Sequence, residues 1–465
     1  MAAVAIVGAG MAGLTAAYRL KQRGVRVAIY EQSDRVGGAV RTERRDGYLA
    51  DLGPNSIAAP PPHFRALMAE LGLESSILPA GAVARRRYIV RGGRLVPLPM
   101  SPVQMLTTPL LSPIAKLAVF REPFVRPGDA LVEESIAGFI RRRFNQEIVE
   151  YVVNPFVAGV YAGDPEQLSV RHALPRLHAL ERSHGSIIRG VAGMRRSRSP
   201  EGGQRPDDSS TGGLVSFPGG LHELSAALAD GVRSELRLGA VVTQVRRGAN
   251  GWSIGAAFQT TEIYDGVVYT APAHCLDQVD LDFPGGDRLK TLGSITYPAV
   301  AVLAFGFRRE DVSHPLDGFG FLVPEVERRS VLGVLFSSSL FPGRAPDGHV
   351  TLTAFVGGAR NPDLANADPS TIAARVLSDL RALIGVRGEP TFRAFHLWPK
   401  AIPQYDLTYG RFKEIMEDVE RRNPGLALAG AFREGISLSE VVASGEAAAV
   451  RVAGVVGTAA PTGST

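Results

Sequence analysis

The apolar residues of this chain fall into runs of two kinds, and the change from one to the other marks the elements. Val4 to Val7 is apolar throughout and mostly β-branched, which predicts a short strand buried on both faces. "MAGLTAAYRLKQRG", Met11 to Gly24, spaces its apolar residues for a helix and ends on glycine, a helix stop signal. "VRVAIYE" returns to strand and closes on Glu31. "PHFRALMAELGL", Pro62 to Leu73, reads as an amphipathic helix, and "RRRYIVRGGRLVPLP", Arg85 to Pro99, as a hairpin around a Gly-Gly turn.

A different texture begins near Pro97. The run to Phe124 is apolar, thin in charge and broken by Pro102, Pro109 and Pro113. Helical patterns continue through "ESIAGFIRRRFNQEIVEYVVNPFVAGVYAG", Glu134 to Gly163. Proline-separated apolar faces of this kind are expected either to lie on a lipid surface or to pack on one another; Leu110, Leu111 and Leu117 are taken as the lipid-facing set. Arg195 to Gly213 is a loop by composition. "FPGGLHELSAALADGV" restarts a helix, and strands follow through "EIYDGVVYTAPAH". From about 291 to 360 apolar strands alternate with turns, as in a mixed sheet, and the chain finishes as strand, glycine-rich turn and long helix.

The chemistry is concentrated at the start. Gly8, Gly10 and Gly13 stand between the first strand and its helix as G-x-G-x-x-G. In that position the first glycine allows the tight turn, the second lets a pyrophosphate approach the backbone, and the third lets helix and strand pack closely. The helix N-terminus offers free N–H groups to phosphate, and Glu31 offers a carboxylate to ribose hydroxyls. Strand, glycines, helix, strand and acid in this order predict a dinucleotide site. "RVGG", with Arg35, Gly37 and Gly38, follows Glu31 at once, and "DLGPNS", Asp51 to Ser56, follows soon after. An NAD site needs no such continuation, whereas a second glycine pair suits the longer FAD, whose ribityl chain and ring must also be threaded.

Composition narrows the reading without changing it. A chain of 465 residues with 21% charged residues predicts two or three globular domains. A net charge of +5 fits an acidic ligand or an anionic surface but selects neither. No nucleic-acid partner is expected. One cysteine, Cys275, excludes an internal disulfide and a cysteine-rich metal site; it reads as a buried, inert thiol. His172, His178 and His184 are not at metal-ligand spacing, so no metal is expected. No leader pattern is evident, and no apolar stretch approaches the roughly 20 residues of a spanning helix. The expectation is a cytoplasmic protein, peripherally associated with the inner face of a membrane.

The string E-x-x-x-R-x-G-G at Glu31 to Gly38 resembles the FAD fingerprint of the flavin amine-oxidase superfamily. Within it, nearly the whole chain resembles the protoporphyrinogen oxidase family. The resemblance rests on "NPFVAGVYAGDPEQLSVRHALPRLHALE" (Asn154 to Glu181), "FPGGLHEL", "GFGFLVP", "LFSSSLFPGRAPDGHVTLTAFVGGARN" (Leu335 to Asn361) and "WPKAIPQY". It implies an α/β and α+β fold: a Rossmann-type FAD domain from residues 1–83, 213–290 and 395–465, an inserted mixed-sheet substrate domain from 84–96 and 291–394, a helical membrane-binding domain from 97–196, and a flexible loop at 197–212. It implies non-covalent FAD, a porphyrinogen substrate, molecular oxygen as acceptor and an anionic membrane surface as partner, with a homodimer left open.

Site residues follow from the same resemblance. FAD contacts are expected at Gly8, Ala9, Gly10, Met11, Ala12, Gly13, Glu31, Gln32, Arg35, Gly37, Gly38, Ala39, Arg41, Gly53, Pro54, Asn55 and Ser56. Val242 is similar to the valine whose backbone meets the adenine, while Trp398, Ile436, Ser437 and Leu438 border the flavin. Arg87 resembles the arginine that pairs with a substrate propionate; Leu322, Leu335 and Phe355 resemble the apolar residues around the macrocycle, and Gly159 and Gly163 line the same pocket. No catalytic side chain is expected, because flavin N5 accepts the hydride. The last helix would aim its positive end at the reduced ring. "AGAF" stands where the family often reads "AGN", placing Ala431 at the asparagine, and "DLTYG" replaces a common "GH" after "PQY". Coproporphyrinogen remains the alternative substrate. Another flavin oxidase or desaturase, or a scaffold retaining a dead flavin fold, are the rival readings.

Overall fold

A computed structural model describes residues 2–129, 131–197, 213–257 and 260–457; the loop expected at 197–212 lies outside them apart from Ser197. Five parallel strands form the dinucleotide-type sheet, in the order Leu236–Arg237, Arg26–Tyr30, Ala3–Val7, Gly266–Tyr269 and Leu426–Leu428. It is drawn from the start, middle and end of the chain. The helices Met11–Gln22 and Leu438–Val456 pack against each other beside this sheet: a Cβ on Gly445 would lie 2.4 Å from the Ala12 carbonyl oxygen. Ala3 to Val7 is buried along its length, as its unbroken apolar run requires.

The second sheet has seven strands, ordered Phe392–Trp398, Val300–Arg308, His349–Gly357, Val331–Leu335, Gly320–Leu322, Tyr88–Arg91 and Arg94–Pro97. All its pairings are antiparallel except that of Gly320–Leu322 with Tyr88–Arg91. The two-residue period of a strand gives this sheet two different faces. Ala301, Leu303, Phe305 and Phe307 pack with Ile372, Val376 and Leu380 of the helix Pro369–Ile384. Val300, Val302 and Ala304 face the other way, with Tyr48, Ala158 and Ala162. Strand Phe392–Trp398 runs across the boundary expected between 394 and 395 and pairs along its length with Val300–Gly306. The hairpin after Arg87 is present as expected.

The insertion is helical, with helices at Pro102–Thr107, Pro113–Arg121, Ile136–Arg143, Asn154–Tyr161, Pro175–His184 and Ile187–Ser197. A buried charge cluster ties it together. The Arg143 guanidinium, fully buried, donates to Glu122 and to Glu181, both at 2.7 Å. Glu122 also accepts the N–H groups of Ile187 and Ile188 and the Ser186 hydroxyl, closing the N-terminus of the following helix. These bonds hold the Glu122 carboxyl below its ordinary range although burial pushes it up.

The lipid-facing set expected in this insertion is not the one exposed. Leu110 and Leu111 are buried at 0% and 4% exposure, whereas Leu117 is 68% exposed. Both buried leucines belong to the core beneath the helices. The open apolar face is instead Val103, Leu106, Ile114, Leu117, Phe120 and Phe124. Among the described residues no helix is long and apolar enough to cross a membrane.

Candidate flavin and substrate site

The two glycine clusters lie against each other. Gly10 and Gly37 form a parallel bridge, and the Gly37 N–H donates to the Ala9 carbonyl at 2.9 Å. The second cluster is thus the floor beside the first. Gly8 has φ of +103°, open to glycine at little cost, and a Cβ on Gly13 would lie 1.9 Å from the Gly8 oxygen. Gly10 differs: the nearest atom to a Cβ there is Gly38 Cα at 3.9 Å, so its side opens into the cradle. The helix begun at Met11 has no side-chain cap at Gly10, which leaves its first turn able to receive an anion.

Glu31 ends its strand at the same place. Its carboxylate accepts the Ala9 N–H at 2.7 Å, the Ser33 N–H at 2.9 Å and the Ser33 hydroxyl at 2.8 Å. Gln32, Gly38, Ala39 and Arg41 are exposed along the rim, whereas Met11 and Ala12 are buried behind it. Arg35 folds back to donate to the carbonyls of Val36, Gly38 and Val40, and so shapes the loop itself. The segment Gly53–Ser56 runs alongside: a Cβ on Gly53 would lie 2.0 Å from the Ala39 oxygen, Asn55 donates to the Gly53 carbonyl at 2.8 Å, and Pro54 and Ser56 are half-buried. Val242 is buried at the start of the strand Val242–Gly248.

Trp398 closes the far end. Its indole N–H donates to the Leu52 carbonyl at 2.7 Å, and its ring lies 4.2 Å from that of His396. Ile436 precedes the last helix, Ser437 caps it in a reciprocal capping box with Glu440, and Leu438 is its first residue. His396 is not evident from sequence patterns. Burial, then Arg41 and Arg35, push its imidazole down to about 4, so it stands neutral at neutral pH. Thr270 was also missed; its hydroxyl, 2.9 Å from the Val7 carbonyl oxygen, ties the returning strand to the glycine turn. Only the pairing of Val7 with Tyr269 brings it there.

Of the residues expected on the substrate side, Leu322, Leu335 and Phe355 share one sheet face. His396, Val302, Phe355, Gly333, Leu322 and Ile89 are successive cross-strand partners and form one row. Gly333 provides the space between Leu322 and Phe355: a Cβ there would lie 2.9 Å from Leu322 Cδ2. Leu335 is two residues further along on the same face and, like Leu322 and Phe355, is half-buried. Gly159 presses on this row from the helix Asn154–Tyr161, its Cβ position 2.6 Å from Leu322 Cδ2. Gly163 does not border the open face. It is buried, and a Cβ would lie 2.3 Å from Gln404 Oε1 and 2.9 Å from Leu168 Cδ1. Arg87 is exposed at the rim over the Phe319 ring, 5.2 Å from its centroid. No carboxylate pairs with it among the described residues, whereas Arg86 pairs with Asp317, and Arg91 with Glu147. Cys275 is half-buried rather than buried; burial pushes its thiol up, away from the reactive thiolate.

Parallel sheet, paired glycine turns, acidic strand end and uncapped helix define a dinucleotide-type flavin oxidoreductase, and the open side of Gly10 fits a diphosphate approaching the backbone. The comparisons agree. The family model of the flavin containing amine oxidoreductases matches residues 11–453, and the chain belongs to that family, with FAD as its cofactor. It is 36% identical to protoporphyrinogen oxidase 2 of Arabidopsis thaliana, covering 95% of this chain and 92% of that one. It is 28% identical to the coproporphyrinogen III oxidase of Staphylococcus aureus, covering 97% and 98%. A crystal structure from Exiguobacterium sp. 255-15, provisionally named protoporphyrinogen oxidase, superposes with a TM-score of 0.80 at 25% identity, covering 97% and 98%.

Proposed function

We propose that the chain oxidises protoporphyrinogen IX to protoporphyrin IX, with oxygen as the final acceptor. The observation that carries this reading is the half-buried apolar row Leu322–Gly333–Phe355, with Leu335 beside it and, at its rim, the Arg87 cation, with which no carboxylate among the described residues pairs. A porphyrinogen is a puckered apolar macrocycle with carboxylate arms, and it suits apolar walls with a cation at the edge. Bound FAD supplies the two-electron acceptor for each of the three dehydrogenations that remove six hydrogens in all. The chain's part is to bind, orient and exclude water: glycines 8, 10, 37 and 38 and Glu31 hold the dinucleotide, Trp398 and Ile436–Leu438 border its ring, and Leu322, Leu335 and Phe355 seat the macrocycle. Gly159 permits the close approach of Leu322, and Gly163 leaves room for Gln404 and Leu168 behind that helix end.

Coproporphyrinogen III, with four propionates, would ask for more cations. Arg86 and Arg91 are already occupied by Asp317 and Glu147, which favours the substrate with two propionates. Anaerobic mixing of the FAD-loaded protein with each porphyrinogen should bleach the flavin faster with protoporphyrinogen. A clear preference for coproporphyrinogen would reverse the assignment, and bleaching by neither would remove it.

We also propose peripheral membrane attachment through the insertion, at 97–196. Ile114, Leu117 and Phe120 recur every third residue on one side of the helix Pro113–Arg121, while Ala115 is buried on the other. Phe124, 79% exposed, continues the patch. A surface of this kind, with Arg121 and Arg126 beside it, suits an anionic lipid interface. Replacing Ile114, Leu117, Phe120 and Phe124 together by Gln should abolish co-sedimentation with phosphatidylglycerol vesicles and leave the flavin spectrum unchanged. The Leu110→Gln/Leu111→Gln variant should instead lose solubility, because both leucines are core residues.

A further inference from the structure

Asp51 and Arg344 lie outside every contact assigned above, yet they are among the most buried charges of the chain, at 3% and 2% exposure. Asp51 ends the strand Tyr48–Asp51, directly before the loop expected to pass the flavin. Arg344 belongs to the loop that enters the strand His349–Gly357 of the seven-stranded sheet. Its guanidinium donates to Ser216 Oγ at 2.7 Å, to the Phe217 carbonyl at 3.2 Å and to Asp51 Oδ2 at 3.4 Å. The other Asp51 oxygen accepts the Thr42 hydroxyl at 2.5 Å and the Leu221 N–H at 3.1 Å. The Arg344 carbonyl accepts the Leu49 N–H at 3.2 Å and the Thr351 hydroxyl at 2.8 Å. Three segments remote in sequence therefore meet at this pair.

The pair is a poor device for stability alone. Its two charges are 3.4 Å apart. Burial pushes the Asp51 carboxyl up and the Arg344 guanidinium down, against the attraction each receives from the other. Buried ion pairs of this kind are often replaced by apolar residues with no loss of stability. Geometry gives the pair another task. The residue after Asp51 is Leu52, whose carbonyl receives the Trp398 indole N–H. The start of the loop is thus fixed at two successive residues by two parts of the seven-stranded sheet unit, Arg344 and Trp398. Behind it the loop is stopped by Ala39, against which Gly53 has no room for a side chain.

We propose that Asp51 and Arg344 are a positioning pair for the flavin ring, registering the loop Leu52–Ser56 and the Trp398 indole on the dinucleotide fold. This rests on the reading of Trp398 and Leu52–Ser56 as flavin neighbours. Neither Asp51 nor Arg344 is a catalytic residue, since each acts through the loop.

The test uses the FAD-loaded protein in a Trp252→Phe background, which leaves Trp398 as the single tryptophan of the chain. The Asp51→Asn/Arg344→Met double variant removes both charges together and strands neither. It should bind FAD stoichiometrically and melt close to the parent, yet its Trp398 emission should be less quenched by the flavin and its visible flavin circular dichroism altered. Flavin reduction by protoporphyrinogen should slow by about 10- to 100-fold, the scale expected for a misplacement near 1 Å. Arg344→Lys keeps the charge but not the planar fork, and should give intermediate emission and an intermediate rate. It carries the test if the double variant does not accumulate. Parent-like emission and rate in both variants would overturn the proposal and leave the pair a structural one. Parent emission that does not change when FAD is removed would also overturn it, because Trp398 would then not border the ring. Failure of the parent to oxidise any porphyrinogen would count against the proposed substrate and would leave the emission and dichroism readouts standing.

Discussion

Gly10→Val yields a folded, colourless protein. Gly10 has φ of −72° and ψ of −179°, an extended conformation open to any residue, and no atom nearer than 3.9 Å to a Cβ. The protein itself therefore has room for a Cβ there. On the proposed cradle, the space it fills is that through which a diphosphate would reach the backbone N–H groups, so the cofactor is what it should exclude. FAD affinity should fall by about 100-fold or more, close to 2.7 kcal/mol. The measurement is the FAD released by acid precipitation, per mole of protein, with far-ultraviolet circular dichroism as the control for folding. Gly13→Ala is the contrast. Its Cβ would lie 1.9 Å from the Gly8 carbonyl oxygen, so the fold itself is expected to suffer and yield to drop. A yellow Gly10→Val protein with parent FAD content would remove the cradle from its assigned place.

Arg87→Ala raises the KM for protoporphyrinogen and leaves the flavin spectrum as it was. An exposed guanidinium over an aromatic ring, with no carboxylate partner among the described residues, is free to take one from a ligand. A charged hydrogen bond to a propionate is worth about 1.5–3 kcal/mol, which corresponds to roughly 10- to 100-fold in kcat/KM. Because the contact is remote from the reacting carbons, the loss should lie in KM more than in kcat. Arg87→Lys should recover part of it, since an ammonium cannot offer two parallel donors. Arg86→Ala serves as the comparison. Arg86 is paired with Asp317, so its loss should change KM far less. Equal effects of the two substitutions, or normal kinetics in Arg87→Ala, would remove Arg87 from substrate recognition.

The flavin half of the proposed site could be read from sequence because its parts are close together in the chain. Gly8, Gly10, Gly13 and Glu31 lie in one strand–helix–strand unit, where the glycines supply a left-handed turn, open space and close packing and the acid supplies its carboxylate. Gly37 and Gly38 were legible for the same reason. The substrate half was legible only through resemblance. Leu322, Leu335 and Phe355 are ordinary strand residues by pattern, and strand period assigns a residue to a face without saying what that face meets. Gly163 shows the cost: it lies in the right loop, but Gln404 and Leu168 fill the space beside it. His396 and Thr270 carried no local signal, since each matters through a neighbour far along the chain.

The sequence by itself determined the pattern of strands and helices, the glycine turns with their acid, and the presence of a helical insertion, because these depend on periodicity and on places where glycine alone has the conformation or the room. Tertiary structure decided which apolar residues are spare. Leu110, Leu111 and Leu117 are the same residue in the same run, yet two are core and one is surface, since burial depends on what packs from elsewhere in the chain. It also decided which arginine is paired. Arg86 and Arg87 are indistinguishable in sequence, and only the arrival of Asp317, 231 residues after Arg86, neutralises the first, while no carboxylate among the described residues pairs with the second. Long-range partners are set by strand order and loop path, and no local pattern of residues encodes them.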